Sequence, residues 1–434
     1  MRFSGLIIAA AVAILPFSAG AQADAAPSGR DLFQGFRPFS AGQQAIDRNL
    51  PAGFAACANC HGADGAGKQE GGIRIPPVDM GSLTSARGAL PGFAASTTIL
   101  AAIEQGIGRD GRALRPMMPR YKLTEDEAHA LLFYLSLVGT REDRPHGVSV
   151  DEVRLGALLP VTGPLADEGK AVLAGMRETV DAVNGSGGIY GRRLVLIVED
   201  VASDPLPAVE RLLQRDVFVV VGGLWRASEA ELERRLAVAH VPVIASLVVR
   251  DSPPAKASWV TDLMAPRSEQ RKRLLPALAA CRTNGPRWLF LNEGEGEVAA
   301  GIEAVDGVAV SSARGIKAGC IGYDLGRLKA VEQAGLEGWR REVVLPFPNA
   351  VLPRDDGNMW KGLGQAALRI AVEALSASGA ALHETSLLEA LPKLKGFEPI
   401  AGAPVRFSRN RMVAWEPDVL SLEPPAPGND ERGP

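Results

Sequence analysis

The sequence predicts a multidomain protein: a small all-α domain, then a larger two-lobed α/β domain. Three observations carry this. At 434 residues the chain is too long for one ordinary hydrophobic core. Residues 111–139 close the first part with a capped amphipathic helix, after a stretch rich in Gly and Ala. From residue 153 onward, apolar strand runs alternate with helical stripes, the pattern of parallel sheets covered by helices. Hydrophobic content of 46% and charged content of 22% are ordinary for a soluble globular chain. With 47 basic and 50 acidic residues the formal charge is −3, which argues against a nucleic-acid partner or a membrane-surface footprint.

In chain order, residues 1–23 come first. Arg2 gives a minimal basic start, residues 6–17 are apolar, and Ala21-Gln22-Ala23 is a small-x-small cleavage signal. This is the pattern of a cleaved signal peptide, and it implies a bacterial periplasmic location without stable membrane insertion. In that oxidising compartment Cys281 and Cys320 are either a disulfide or two separately buried thiols.

The stretch FAACANCHGADGAG at 54–67 holds Cys57, Cys60 and His61 in C-x-x-C-H order. The pattern reads as attachment of one c-type haem. Two thiols reach two vinyl groups on one edge of the porphyrin, and the next residue sets an imidazole under the iron. A zinc site would want further Cys or His nearby, and a thioredoxin-like pair would want a βαβ setting.

The stretch GRALRPMMPRYKLTEDEAHALLFYLSLVG at 111–139 supplies a sixth ligand. Thr124 and Glu127 form a capping box, and Leu131, Leu132, Leu135 and Val138 recur at helical spacing. Met117 and Met118 precede Pro119 on the loop before that helix, with Met80 and His129 as further candidates. Met/His ligation leaves no open iron position and favours electron transfer, whereas an open position would allow peroxidase-like chemistry.

With these residues in hand, positions of about 30–140 resemble the small class I cytochromes c. The resemblance rests on Cys57, Cys60, His61 and the Met-Pro pair before a terminal helix. It implies Met118, directly before Pro119, as the distal ligand, with Met117 as its rival. It also implies that a proline carbonyl orients the proximal histidine, here that of Pro76. The helix expected before the motif is interrupted by Pro51 and Gly53, so it is short or displaced. The domain is assigned to 24–140.

Residues 141–152 are charged and polar and are expected to be a linker, with His146 in solvent. Strands are expected at 153–159, 194–198, 217–221 and 243–247, with helices between them, one of them opened by a Ser228/Glu231 capping box. Further strands are expected at 287–291 and 307–312, a long helix at 359–376, and edge strands in 403–422.

This second part, 153–422, resembles the periplasmic substrate-binding proteins of ABC importers, of the type I, branched-chain amino-acid-binding kind. The residues that carry the resemblance are GALLPVTGPLADEGKAVLAGMRETVDAVNGSGGIYGRRLVLIVEDVASDP and VVVGGLWRASEAE. It implies a ligand cleft between two lobes, lined from strand-to-helix loops by Thr162, Trp225, Arg226, Ala227, Ser228 and Ser246. Arg226 suits a carboxylate or another small anion. No clear second-lobe aromatic and acidic pair stands ready for an ammonium group, Tyr323-Asp324 being the nearest. Residues 423–434 are expected to be a disordered tail.

Together the two parts imply a non-enzymatic periplasmic mono-haem electron carrier with a module for small-molecule sensing or partner docking. A dehydrogenase or another cytochrome would be its redox partner. The alternative is a solute receptor for amino acids or small anions with an accessory haem domain.

Overall fold

The structure, a computed structural model, describes residues 28–40, 43–45, 48–49, 56–70, 72–140, 142–225, 230–254, 259–291, 301–312, 316, 318–336, 338–353, 357–407 and 412–424. The expected signal peptide and residues 425–434 lie outside them. The chain divides into two compact units at the Val138–Gly139 step.

The first unit is helical at its core. Its helices are α1 (Gly29–Gln34), α2 (Cys57–His61), α3 (Met80–Thr84), α4 (Ser96–Glu104) and α5 (Glu125–Leu137). The helix expected ahead of the motif is displaced to α1, which the Ser28 hydroxyl caps by accepting the Asp31 N–H at 3.3 Å. α1 packs on α5, burying Leu32, Phe33, Leu131, Tyr134 and Leu135. The Phe33 and Tyr134 rings meet tilted, with centroids 5.4 Å apart.

The capping box expected at Thr124 and Glu127 is present: each side chain accepts the other's backbone N–H, at 3.2 and 3.0 Å. Glu127 also accepts the N–H and O–H of Ser40, both at 2.7 Å. Burial alone would raise its carboxyl, but the hydrogen bonds from Thr124 and Ser40 outweigh it and hold it below the usual range.

Two small antiparallel sheets, absent from the sequence expectation, complete this unit. One joins β1 (Gln43–Ala45) to β2 (Arg48–Asn49) and to β5 (Arg120–Tyr121), and the other pairs β3 (Lys68–Glu70) with β4 (Ile73–Ile75).

In the second unit, one five-stranded parallel sheet has the order β10-β9-β8-β6-β7. Its strands are β6 (Glu152–Leu159), β7 (Arg193–Asp200), β8 (Val219–Val221), β9 (Val243–Ser246) and β10 (Val260–Asp262). Helices α6 (Ala166–Gly185), α7 (Pro205–Gln214) and α8 (Ala230–Val238) alternate with them. From Leu155 to Leu159 the run in β6 is continuously apolar, because both its faces are covered there. Val153, Leu155, Ala157 and Leu159 pack with Val172 and Met176 of α6, whereas Leu158 packs with Leu212 of α7 and Leu232 of α8. Fully burying each such leucine stabilises the fold by about 1.5–3 kcal/mol.

The second sheet, β12-β11-β13-β14-β15, is parallel except for its last strand. The chain enters it through α9 (Arg267–Ala280) and continues with β11 (Arg287–Phe290), β12 (Glu303–Ala304), α10 (Gly307–Ser312), β13 (Cys320–Asp324), α11 (Leu328–Gln333) and β14 (Arg340–Leu345). It then returns with α12 (Met359–Ser378), which packs on α6 and β9, and continues through α13 (Glu384–Ala390). The final element is β15 (Asp418–Leu422), antiparallel to β14. Three crossings therefore join the lobes: β10 to α9, β14 to α12, and residues 412–415 to β15. At the third, Val413 bridges Asp262. A disulfide joins Cys281 after α9 to Cys320 at the start of β13, with Cα atoms 6.6 Å apart.

Two expectations change. Residues 307–312 form α10 and not a strand. The Asp306 carboxylate accepts the N–H groups of Val308 and Ala309, capping a helix in which Val310 is buried and Val308 faces solvent. The stretch expected as a linker, 141–152, is partly buried in the second unit, where the Asp143 carboxylate accepts the Gly139 N–H at 3.2 Å. His146 there is exposed but pairs with Asp216 at 3.0 Å.

Candidate haem site and ligand cleft

α2 is a single helical turn, and it puts Cys57, Cys60 and His61 within five residues. Both cysteines are free; Cys57 is half-buried and Cys60 exposed. Packing around the Cys57 sulfur desolvates it and pushes its thiol up to about 12, partly offset by a hydrogen bond with the Tyr121 hydroxyl. Tyr121 is itself buried, which raises its hydroxyl's pKa.

His61 is nearly buried, and its Nδ1 lies 2.8 Å from the Pro76 carbonyl oxygen. A carbonyl can only accept, so that contact fixes the Nδ1–H tautomer and leaves Nε2 with its lone pair. Burial lowers the imidazole pKa, opposed by the Pro76 bond, and so favours the neutral ring that a metal ligand requires. The turn that brings Pro76 here is built on Gly67. Its N–H donates to the His61 carbonyl at 2.7 Å, it sits at φ +78, and a Cβ on it would lie 2.5 Å from the Ile75 oxygen.

Met118 is half-buried, whereas Met117 is 51% exposed. The Met118 N–H donates to the Arg115 carbonyl at 3.2 Å, and its own carbonyl accepts from the Arg120 guanidinium. Three residues on, Tyr121 reaches Cys57, so the Met-Pro loop is anchored at the attachment helix. Met80 is half-buried in the first turn of α3 and packs on this unit's apolar core, and His129 is exposed on α5. Among the described residues no group of three or more His, Cys, Asp and Glu could hold a metal ion by itself. The donor set fits a covalently held haem: two uncommitted thiols, a neutral imidazole with one free nitrogen, and a thioether on an anchored loop.

In the second unit, three of the residues expected to line the cleft are described, Thr162, Trp225 and Ser246, and each hydrogen-bonds within its own lobe. Thr162 is exposed, but its hydroxyl donates to Asp200 at 2.5 Å. Burial would raise the Asp200 carboxyl, yet the Thr162 bond and the N–H groups of Val161 and Ala202 hold it below its ordinary range. Trp225 is buried, with its indole N–H 3.4 Å from a Glu233 oxygen. Ser246 is fully buried, accepts the Val248 N–H at 3.1 Å and hydrogen-bonds Asp262, so it offers no hydroxyl to a ligand. Arg226, Ala227 and Ser228 lie outside the described residues. Tyr323 and Asp324 end β13, both buried, with the Tyr323 hydroxyl and one Asp324 oxygen unpaired.

A charge cluster of buried Asp262 with half-buried Arg250 and Glu233 lies at and beyond the ends of β9 and β10. Arg250 reaches Glu233 at 2.7 Å through Nη1 and Asp262 at 2.6 Å through Nε. Burial pushes the Asp262 carboxyl up to about 7, against the pull of Arg250. One guanidinium faces two carboxylates, so a proton held near neutrality is the expected compromise. The Asp in WVTDLMA was the available signal: a carboxylate inside an apolar run.

Residues 41–138 match the family described as cytochrome c, and residues 152–319 match the family described as periplasmic binding protein. A Leu/Ile/Val-binding protein of Rhizobium johnstonii is 34% identical over 74 residues, 16% of this chain and 20% of that protein. A leucine-, isoleucine-, valine-, threonine- and alanine-binding protein of Pseudomonas aeruginosa is 30% identical over 86 residues, 19% of this chain and 23% of that protein. The chain thus matches only about a fifth of the length of these curated relatives. Among solved structures, a substrate-binding periplasmic protein from Ralstonia solanacearum is 18% identical, covering 63% of this chain and 98% of that one, with a TM-score of 0.48.

Proposed function

Because this chain joins a cytochrome c domain to a periplasmic-binding-protein domain of type I fold, we propose that it is a periplasmic electron carrier with one covalently bound haem. The second domain then recognises a small molecule or a redox partner. The observation that carries the reading is the hydrogen bond between His61 Nδ1 and the Pro76 carbonyl, which leaves a neutral imidazole with one coordinating nitrogen beside two free cysteines. Cys57 and Cys60 would hold the haem, His61 would be its proximal ligand and Met118 its distal one. The haem supplies a one-electron couple. The protein fixes the imidazole tautomer and buries the ring, and the anchored loop would bring the Met118 thioether as the second ligand. Among the described residues no helix is long and apolar enough to cross a membrane.

The domain limits follow the same reading: a leader at 1–23, the haem domain to about residue 140, and the binding-protein domain over about 153–422. A dehydrogenase or a second cytochrome would be the redox partner. The test is a redox titration of the holoprotein with carbon monoxide added to the ferrous form. A single reversible couple and no carbon monoxide shift are expected; a clear carbon monoxide complex would mean an open iron and a sensor or enzyme.

A second reading, a receptor for amino acids or small anions, is favoured by the match to two proteins named for binding such amino acids. Calorimetry against branched-chain amino acids separates the two: heat of binding supports the receptor, and its absence supports a docking role.

A further inference from the structure

The loop that presents Met118 is closed by one side chain. Arg120 has its backbone fixed in β5, paired with Gln44 of β1. Its guanidinium turns back and donates to the Met118 carbonyl through one nitrogen and to the Leu114 carbonyl through another, at 3.2 Å. It has no carboxylate partner among the described residues. A half-buried cation whose partners are two carbonyls of one loop acts on the shape of that loop. The fit is made by Gly106, which is buried at φ +72; a Cβ there would lie 2.1 Å from the guanidinium carbon. The Gly106 carbonyl also accepts the Leu114 N–H at 2.7 Å, so the loop base and the clasp meet at one point.

We propose that Arg120 is a positioning residue for the distal ligand: by holding the carbonyls of Leu114 and Met118 it keeps the Met118 thioether in place and sets how firmly the sixth iron position is closed to outside ligands. The inference rests on Met118 as that ligand. A hydrogen bond from a charged donor to a neutral carbonyl outlasts one between neutral groups, and two from one rigid fork fix direction as well as distance. Without them the loop regains backbone freedom, and the bound state of the methionine must compete with more conformers.

The test is a spectral titration of ferric holoprotein with imidazole, together with the pH at which the thioether charge-transfer band is lost. Wild type is compared with Arg120→Ala, Arg120→Lys, Gly106→Ala and Met118→Ala. In Arg120→Ala, imidazole should bind about ten-fold more tightly, the factor that loss of one hydrogen bond to a charged group produces. The band should also disappear at lower pH. Arg120→Lys, with one point donor for a fork, should fall between. Gly106→Ala should reproduce the alanine result by evicting the guanidinium. If Met118→Ala abolishes the band while the Arg120 variants bind imidazole as wild type does, the clasp is overturned and the ligand stands. If Met118→Ala keeps the band, the ligand reading fails and the clasp with it. Should Arg120→Ala not accumulate with haem, the lysine and Gly106 variants decide by the same criterion.

Discussion

The two units hold their polar side chains in opposite ways. In the first, backbone carbonyls brace the chemistry: Pro76 engages one nitrogen of His61 and leaves the other free. In the second, polar groups at the strand ends of the β10-β9-β8-β6-β7 sheet engage one another, Thr162 with Asp200, Trp225 with Glu233, and Arg250 with both Glu233 and Asp262. A site built on backbone supports keeps its side chains available. A cleft whose side chains pair internally keeps its fold but offers fewer of them to a ligand. The contrast teaches that a fold and the availability of its side chains are separate properties.

The largest expected effect tests whether the units are separable at all. The Cys281–Cys320 bond spans 39 residues, and its removal in a Cys281→Ala/Cys320→Ala double variant should cost the second unit about 4 kcal/mol. All six tryptophans lie between residues 225 and 415, so tryptophan fluorescence follows the second unit alone, while haem absorbance follows the first. Denaturant should shift the fluorescence transition and leave the haem transition where it was. A joint shift would break the comparison, because the units would then unfold as one.

Next in size is Gly67→Ala, the converse experiment. The new Cβ would lie 2.5 Å from the Ile75 oxygen and 2.8 Å from Pro76 and Pro77 backbone atoms, at a φ of +78 that favours glycine. Strain and overpacking together should cost about 3 kcal/mol in the first unit. The haem spectrum should change as the Pro76 carbonyl moves off the His61 ring, with tryptophan fluorescence unmoved. An unaltered spectrum would mean that the imidazole does not depend on that carbonyl.

The same contrast explains what the sequence reveals. Cys57, Cys60, His61 and the Thr124–Glu127 box are legible because the residues of each motif lie within a few positions of one another. The same holds for the strand and helix alternation from β6 to β9, where burial on both faces leaves continuous apolar runs. The cluster of Glu233, Arg250 and Asp262 is not legible, because three separate segments converge on it. Residues 307–312 mislead because Val308 and Val310 alternate as in a strand, while the Asp306 cap makes a helix. The strand pairing of β1 and β5 is too short to leave any periodicity.

A smaller effect probes the charge cluster. Asp262 titrates at about 7 in the folded protein, against 3.8 for a free side chain, chiefly because it is buried. Between those values the folded state holds a proton that the unfolded state has released. This contribution to stability is fully present below pH 3.8 and is lost as pH rises through about 7. One proton gives a slope of at most about 1.4 kcal/mol per pH unit. Asp262→Asn removes it. The stability of wild type relative to the variant, from urea unfolding followed by tryptophan fluorescence, should therefore fall between pH 5 and pH 8. A constant difference would mean that Arg250 holds Asp262 ionised throughout, and that the second unit's polar cluster is a plain ion pair.

The smallest effect returns to the first unit and asks how much of its order is set by single local contacts. Thr124 accepts the Glu127 N–H at 3.2 Å, and the Glu127 carboxylate in turn accepts from Thr124 and twice from Ser40. Thr124→Ala removes one helix cap and should cost about 1 kcal/mol. Glu127 keeps its bonds to Ser40 and to the backbone N–H at position 124, so α5 should stay docked on α1 and the haem spectrum should not change. The haem-monitored transition should move to slightly lower denaturant with the same slope. A larger loss, or an altered spectrum, would show that the cap acts through the Met118 loop just before it. The first unit would then be cooperative between its terminal helix and its Met118 loop, and not an assembly of separately braced parts.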